Sequence, residues 1–138
     1  MAVRKGDRDQ GKLQCLEASK ELIKYTYDRV KDNEIFPKNQ RWLMAKTIWD
    51  AVCGAHVCII RANAIKVECR EDADVRLNLV KQAIGHLDVL NGMIDICNVK
   101  GQISDDRAEF WTGLATKTEN MVKAWLKAQR TQYKPFLT

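Results

Sequence analysis

Apolar residues return every three or four positions along most of the chain and never alternate over the length of a strand, so the pattern predicts helices. The strictest run is Ala45, Ile48, Val52, Ala55, Ile59 and Ala62, whose three-four spacing reads as a bundle seam. Beside it, Met44, Ala51, Cys58 and Ile65 repeat every seven residues, and Trp42 and Trp49 lie on a further row. An apolar surface this wide needs cover on more than one side.

Three other segments show the same period. A first helix is expected from about Lys12 to Lys31, with Leu16, Ile23, Tyr27 and Val30 on its stripe and Cys15, Ala18, Leu22 and Tyr25 extending it sideways. Asp32-Asn33-Glu34 ends it. Pro37 disfavours helix at Phe36 and suits the first turn of a new one, so the second helix should start near Lys38 and run to Lys66 or Val67. Glu71 and Asp72 favour the start of a third helix, which Leu79, Ala83, Leu87, Leu90, Ile94 and Cys97 carry to about Asn98. After a turn at Gly101, Ser104 is the expected N-cap of a fourth helix, with Asp105 and Asp106 in its first turn. Trp111, Leu114, Met121 and Trp125 form its buried side, and it fades near Arg130.

The reading is therefore all-α: a charged, flexible leader over 1–11, one up-down-up-down four-helix bundle over 12–134 and a tail over 135–138. Composition agrees, with 46% hydrophobic and 30% charged residues, two prolines and seven scattered glycines, a mixture suited to a soluble globular protein. No run is read as reaching the roughly 18 apolar residues of a membrane span. Five cysteines, Cys15, Cys53, Cys58, Cys69 and Cys97, lack paired spacing, and no secretory leader precedes them, so reduced thiols in a cytoplasmic protein are expected.

Candidate chemistry is sparse. His56 lies between Cys53 and Cys58, but steps of three and two along a helix turn Cys58 away from the other two, so packing is preferred to a metal site. His86 has no carboxylate at the spacing of a di-metal bundle and reads as a buried or boundary histidine. No phosphate-cradling glycine loop, nucleophile elbow or metalloprotease motif occurs. The expectation is a binding protein, with no catalytic residues, metal or cofactor.

Charge points to what is bound. Lysines and arginines exceed acidic residues, 23 to 18, giving a net charge of +5, which suits an anionic polymer. Lys123, Lys127, Arg130 and Lys134 are spaced four, three and four apart on one face of the fourth helix, with Thr116 and Asn120 continuing the row. Such a stripe can follow a phosphate backbone, and a solvated lysine face is its plainer alternative. A second cluster holds Lys38, Arg41 and Lys46 at one end of the second helix and Arg61, Lys66, Arg70 and Arg76 around its exit, with Lys81 beyond. Ion pairing within the bundle, for example Arg61 or Lys66 with carboxylates of the third helix, is the alternative there. Asn63 among apolar neighbours suggests either a register-fixing amide or simple exposure at the boundary.

Particular residues also carry a resemblance. Phe36-Pro37-Lys38 followed by Gln40-Arg41-Trp42, the stretch Ile59-Ile60-Arg61-Ala62-Asn63-Ala64-Ile65-Lys66-Val67-Glu68, then Arg76, Leu79 and Ala83, and later Phe110-Trp111-Thr112-Gly113-Leu114 and Lys123-Ala124-Trp125, resemble the accessory variability determinant family of diversity-generating retroelements. The resemblance covers about Leu16 to Tyr133. The rRNA intervening-sequence four-helix proteins share the architecture and are the nearest alternative, without a reverse transcriptase partner. The resemblance implies a basic, barrel-like homopentamer of four-helix protomers. It also implies binding to a reverse transcriptase and to template-repeat RNA, with cDNA as a further ligand, in support of cDNA synthesis during mutagenic retrohoming. Lys38, Arg41, Arg61, Lys66 and Arg76 are the basic positions that match its motifs; Lys46, Arg70, Lys81 and the fourth-helix stripe come from charge and spacing alone.

Overall fold

The computed structural model describes residues 5–39 and 41–137, with side chains from Gly11 onward except those of Arg41 and Trp42. All of its regular structure is helical among the described residues. Helix α1 spans Lys5–Val30, a π-helical turn at Arg41–Ala45 leads into α2 at Lys46–Ala64, and α3 and α4 span Arg70–Val99 and Asp105–Gln132. A short α5, Lys134–Leu137, closes the chain. Each long helix packs on two others: α1 and α3 both lie against α2 and α4. The four form an antiparallel ring, up-down-up-down, around one core.

Local chemistry sets the boundaries. At the end of α3, Gly101 adopts φ +77°, the N–H of Gln102 reaches Cys97 O at 2.9 Å and that of Gly101 reaches Asn98 O at 2.9 Å, a Schellman closure. Ser104 then caps α4 as expected, its Oγ accepting from Arg107 N at 3.2 Å. The second helical segment begins at Arg41, later than the expected Lys38, and its first turn is wide, with the α-helix proper from Lys46. It ends at Ala64, where Ile65 turns extended. Helix α1 begins at Lys5, ahead of the expected start near Lys12.

The aliphatic seams are buried as the spacing predicts. On α2 these are Ala45, Ile48, Val52, Ala55, Ile59 and Ala62; on α3 they are Leu79, Ala83, Leu87, Leu90, Ile94 and Cys97. Fully burying one large aliphatic or aromatic side chain contributes about 1.5–3 kcal/mol, and Phe36, Leu22, Ile48, Ile59, Leu87, Leu90, Ile94 and Trp111 are all sealed from solvent.

Helix α1 corrects the expected stripe. Its core face is Cys15, Ala18, Ser19, Leu22 and Thr26, while Tyr27 stays half exposed and rests edge-on against Trp49. Two hydroxyls make this face stable because both find partners. Ser19 Oγ donates to Leu16 O at 3.0 Å and meets His56 Nδ1 at 2.7 Å, and Thr26 Oγ1 accepts from Trp111 Nε1 at 3.1 Å.

The α2–α3 pair depends on a missing side chain. A Cβ added at Gly54 would stand 2.8–2.9 Å from the imidazole of His86, so the ring occupies the space that glycine leaves. Leu43–Ala64 is long and apolar enough to cross a membrane by length and composition alone, a test that the core helix of a bundle also passes, and 44% of its apolar window is buried within the bundle.

Candidate nucleic-acid interface

The ring topology sorts the basic residues by place. Lys38 and Lys46 lie where α1 ends and α2 begins, both exposed, and Lys46 Nζ is held 2.6 Å from Asp50 Oδ2. Arg41 belongs to the same end; its side chain lies outside the described residues, as does Gln40 of the same motif. The opposite end gathers the start of α3 and the ends of α2 and α4. There Lys66 pairs with Glu68 at 3.5 Å and Arg70 with Asp74 at 3.9 Å, all well exposed, so these contacts are weak and leave the cations open to a stronger anion. Arg61 is exposed on the last turn of α2 without an ion pair among the described residues, and Lys134 lies exposed on α5.

Arg76 departs from the expected surface role. Its Nε donates to Gln129 Oε1 at 2.5 Å, its Nη1 donates to Ile65 O at 3.0 Å, and its guanidinium stacks 5.8 Å from the Trp125 ring centre and 5.4 Å from that of Tyr133. The charge is spent inside the bundle, fastening α3 to α4 and completing the frayed end of α2. Burial lowers its pKa from the ordinary 12.5, and Tyr133 opposes that shift.

The α3–α4 edge carries a further group of cations. Arg76–Gln129 and Asp88–Glu119 fix the antiparallel register of the two helices. Lys81, between 76 and 88, therefore falls level with Lys123 and Lys127, between 119 and 129. All of these lysines and Arg130 are exposed, and Lys81, Lys127 and Arg130 make no ion pair among the described residues. Lys123 is the partly offset member, with Nζ 3.0 Å from Glu119 Oε2.

Glu119 is an unusual anion for this surface. It is only 8% exposed, and its Oε1 is buried without a hydrogen-bond partner among the described residues. Burial, with Asp88 close by, raises its carboxyl above the ordinary 4.5 against the opposing pull of Lys123.

A groove of about 930 Å³ runs beside the cationic edge along the outer face of α4, reaching Gly11 and Gln14 on α1. Thr112, Gly113, Thr116, Asn120, Ala124 and Ala128 form much of its lining, and Glu109 and Lys117 are its charged members among the described residues. No sequence pattern announced this groove, because small and neutral polar residues on an exposed helix face look like ordinary surface.

Other candidate chemistry resolves into packing. Ser19 is 1% exposed, so its hydroxyl is buried against the half-buried His56, and burial with nearby Lys20 lowers the pKa of His56 below 6.5. Cys53, His56 and Cys58 do not converge, and no group of three metal-ligating side chains occurs among the described residues. Asn63 is half-buried, at the boundary of the core. Comparison with protein-family models, with curated proteins and with solved structures finds no match for this chain.

Proposed function

We propose that this protein is a non-catalytic accessory subunit of a retroelement ribonucleoprotein, which binds template-repeat RNA and a reverse transcriptase and so supports cDNA synthesis in mutagenic retrohoming. The observation that carries the RNA-binding part is the lysine-bearing α3–α4 edge, where Lys81 joins Lys123, Lys127 and Arg130, with the carboxyls of Asp88 and Glu119 beside them. Cations held on rigid helices position a phosphate backbone without reading its bases. The partner enzyme and assembly as a homopentamer rest on the resemblance of the Phe36-Pro37 and Ile59–Glu68 motifs, and the cytoplasmic setting rests on five cysteines without paired spacing.

A helical interaction protein of the rRNA intervening-sequence type, without a reverse transcriptase partner, is the second reading. The ion pairs at Lys46, Lys66 and Arg70 favour it, since they serve the fold as well as any ligand. Titration of the protein with single-stranded RNA at increasing salt tests the first reading: affinity should fall steeply, and binding indifferent to salt overturns it. Co-purification with a reverse transcriptase encoded beside the gene separates the two.

A further inference from the structure

The groove along the outer face of α4 is bordered by two features that packing leaves unexplained. Gln129 lines it and is 1% exposed, yet its Nε2 has no hydrogen-bond partner among the described residues. Its Oε1 is taken by Arg76 on the α3 side, so the carboxamide is held in place with its N–H donors unused. A buried donor without an acceptor is costly, and a ligand that brings an acceptor removes the cost. Toward the other end, Phe110 is 57% exposed and rests against Tyr25 with ring centres 5.1 Å apart, while the Arg29 guanidinium lies 4.8 Å from the same tyrosine ring. Phe110 precedes Gly113 by three residues and Lys117 by seven, so it shares the face of α4 from which both line the groove. The cationic row adjoins that face, because Thr116 and Asn120 line the groove and also continue the row of Lys123 and Lys127.

We propose that this groove seats unpaired bases of a single strand whose phosphates follow the lysine row, with Phe110 as a stacking platform and Gln129 as a donor to base carbonyls. The proposal rests on the RNA reading above and adds a strandedness and a base preference, neither of which cations alone supply. Bases can reach side chains in this way only when they are splayed out of a helix, so a duplex is refused. An exposed aromatic face stacks with any base. Gln129 is selective, because adenine is recognised by a paired donor and acceptor on one carboxamide and the acceptor here is already engaged by Arg76. What remains is a donor, which suits the two carbonyls of uracil; adenine has none. From Phe110 to Gln129 the helix rises about 29 Å, fewer than about ten nucleotides at the ~3.4 Å spacing of a stacked strand.

The test is fluorescence anisotropy of the full chain with labelled oligouridylate and oligoadenylate of about ten nucleotides, enough to span the groove. Oligouridylate should bind roughly 2- to 10-fold more tightly than oligoadenylate, the worth of one hydrogen bond, and more tightly than the duplex of the two. Phe110→Ala should weaken both single strands by about 5-fold or more, as the loss of one base–aromatic stack requires, with the slope against salt unchanged. Gln129→Glu keeps an oxygen for Arg76 and removes the free donor, so the uridylate preference should vanish. The ratio of the two affinities is the readout there, since the variant also adds a negative charge. In the wild type, the side-chain amide resonances of Gln129 should shift on addition of oligouridylate, a measurement that holds even where a variant does not fold. Equal binding of single strands and duplex overturns the inference and leaves the phosphate-tracking reading standing. So does a preference that survives in Gln129→Glu, a Phe110→Ala that binds as the wild type does, or Gln129 resonances that stay in place. Absence of any RNA binding removes the RNA reading and this inference with it. Circular dichroism checks that both variants remain helical.

Discussion

Arg76 and Gln129 meet at 2.5 Å between α3 and α4, and the same guanidinium reaches the carbonyl of Ile65 where α2 ends. One cation thus joins three helices. Arg76→Ala leaves the amide oxygen and the carbonyl without their charged donor, so denaturant unfolding should show a loss of roughly 2–3 kcal/mol. Lysine cannot reproduce a fork that serves two acceptors between two rings, so Arg76→Lys should recover little of it. The slope of RNA affinity against salt should be unchanged in whatever folded protein remains, which distinguishes this arginine from those on the surface.

Gly54 and His86 make a steric prediction. Gly54→Ala places a methyl at 2.8–2.9 Å from the imidazole, and the ring must move or the helices must part. Thermal unfolding should reveal a cost of about 1–3 kcal/mol despite the better helix propensity of alanine. Adding His86→Ala should recover part of that loss, and a fully additive double variant would show that the two residues do not share the space.

The seams of α2 and α3 were legible because long aliphatic side chains at three-four spacing leave one way to bury them. Helix α1 was misread for the opposite reason: Ala18, Ser19 and Thr26 are small or hydroxylic, and their inward turn depends on His56 and Trp111, which are remote in sequence. The same holds for the site. The α4 row could be read from spacing, but the alignment of Lys81 with it needs the α3–α4 register, and the inward turn of Arg76 needs Trp125, Gln129 and Tyr133 in place.

Glu119 gives stability a pH dependence of definite sign. Its folded carboxyl binds a proton more tightly than the unfolded one, whose pKa is near 4.5, so the native state holds more protons in the interval above that value. Stability should therefore decline as pH rises from 4.5 through the folded pKa. His56 acts oppositely, since its lowered pKa favours the native state as pH climbs toward 6.5. Thermal melts of wild type and Glu119→Gln from about pH 4 to pH 8 separate the two, because only the glutamate contribution disappears in the variant. Parallel melting curves against pH would refute the raised carboxyl.

The same carboxyl grades the lysines as RNA ligands. Lys123 is held by Glu119, whereas Lys81, Lys127 and Arg130 have no ion pair among the described residues. Removing the latter three together should flatten the slope of log affinity against log salt by about 2, at ~0.7 per phosphate contact with a single strand. Lys127→Ala should weaken binding more than Lys123→Ala, because an anion gains less from a cation already engaged. Glu119→Gln should tighten binding by releasing Lys123, and this gain should vanish when Lys123 is alanine. Filter binding of a single-stranded RNA to the five variants measures each step, and a gain that survives the loss of Lys123 would mean that Glu119 repels RNA directly.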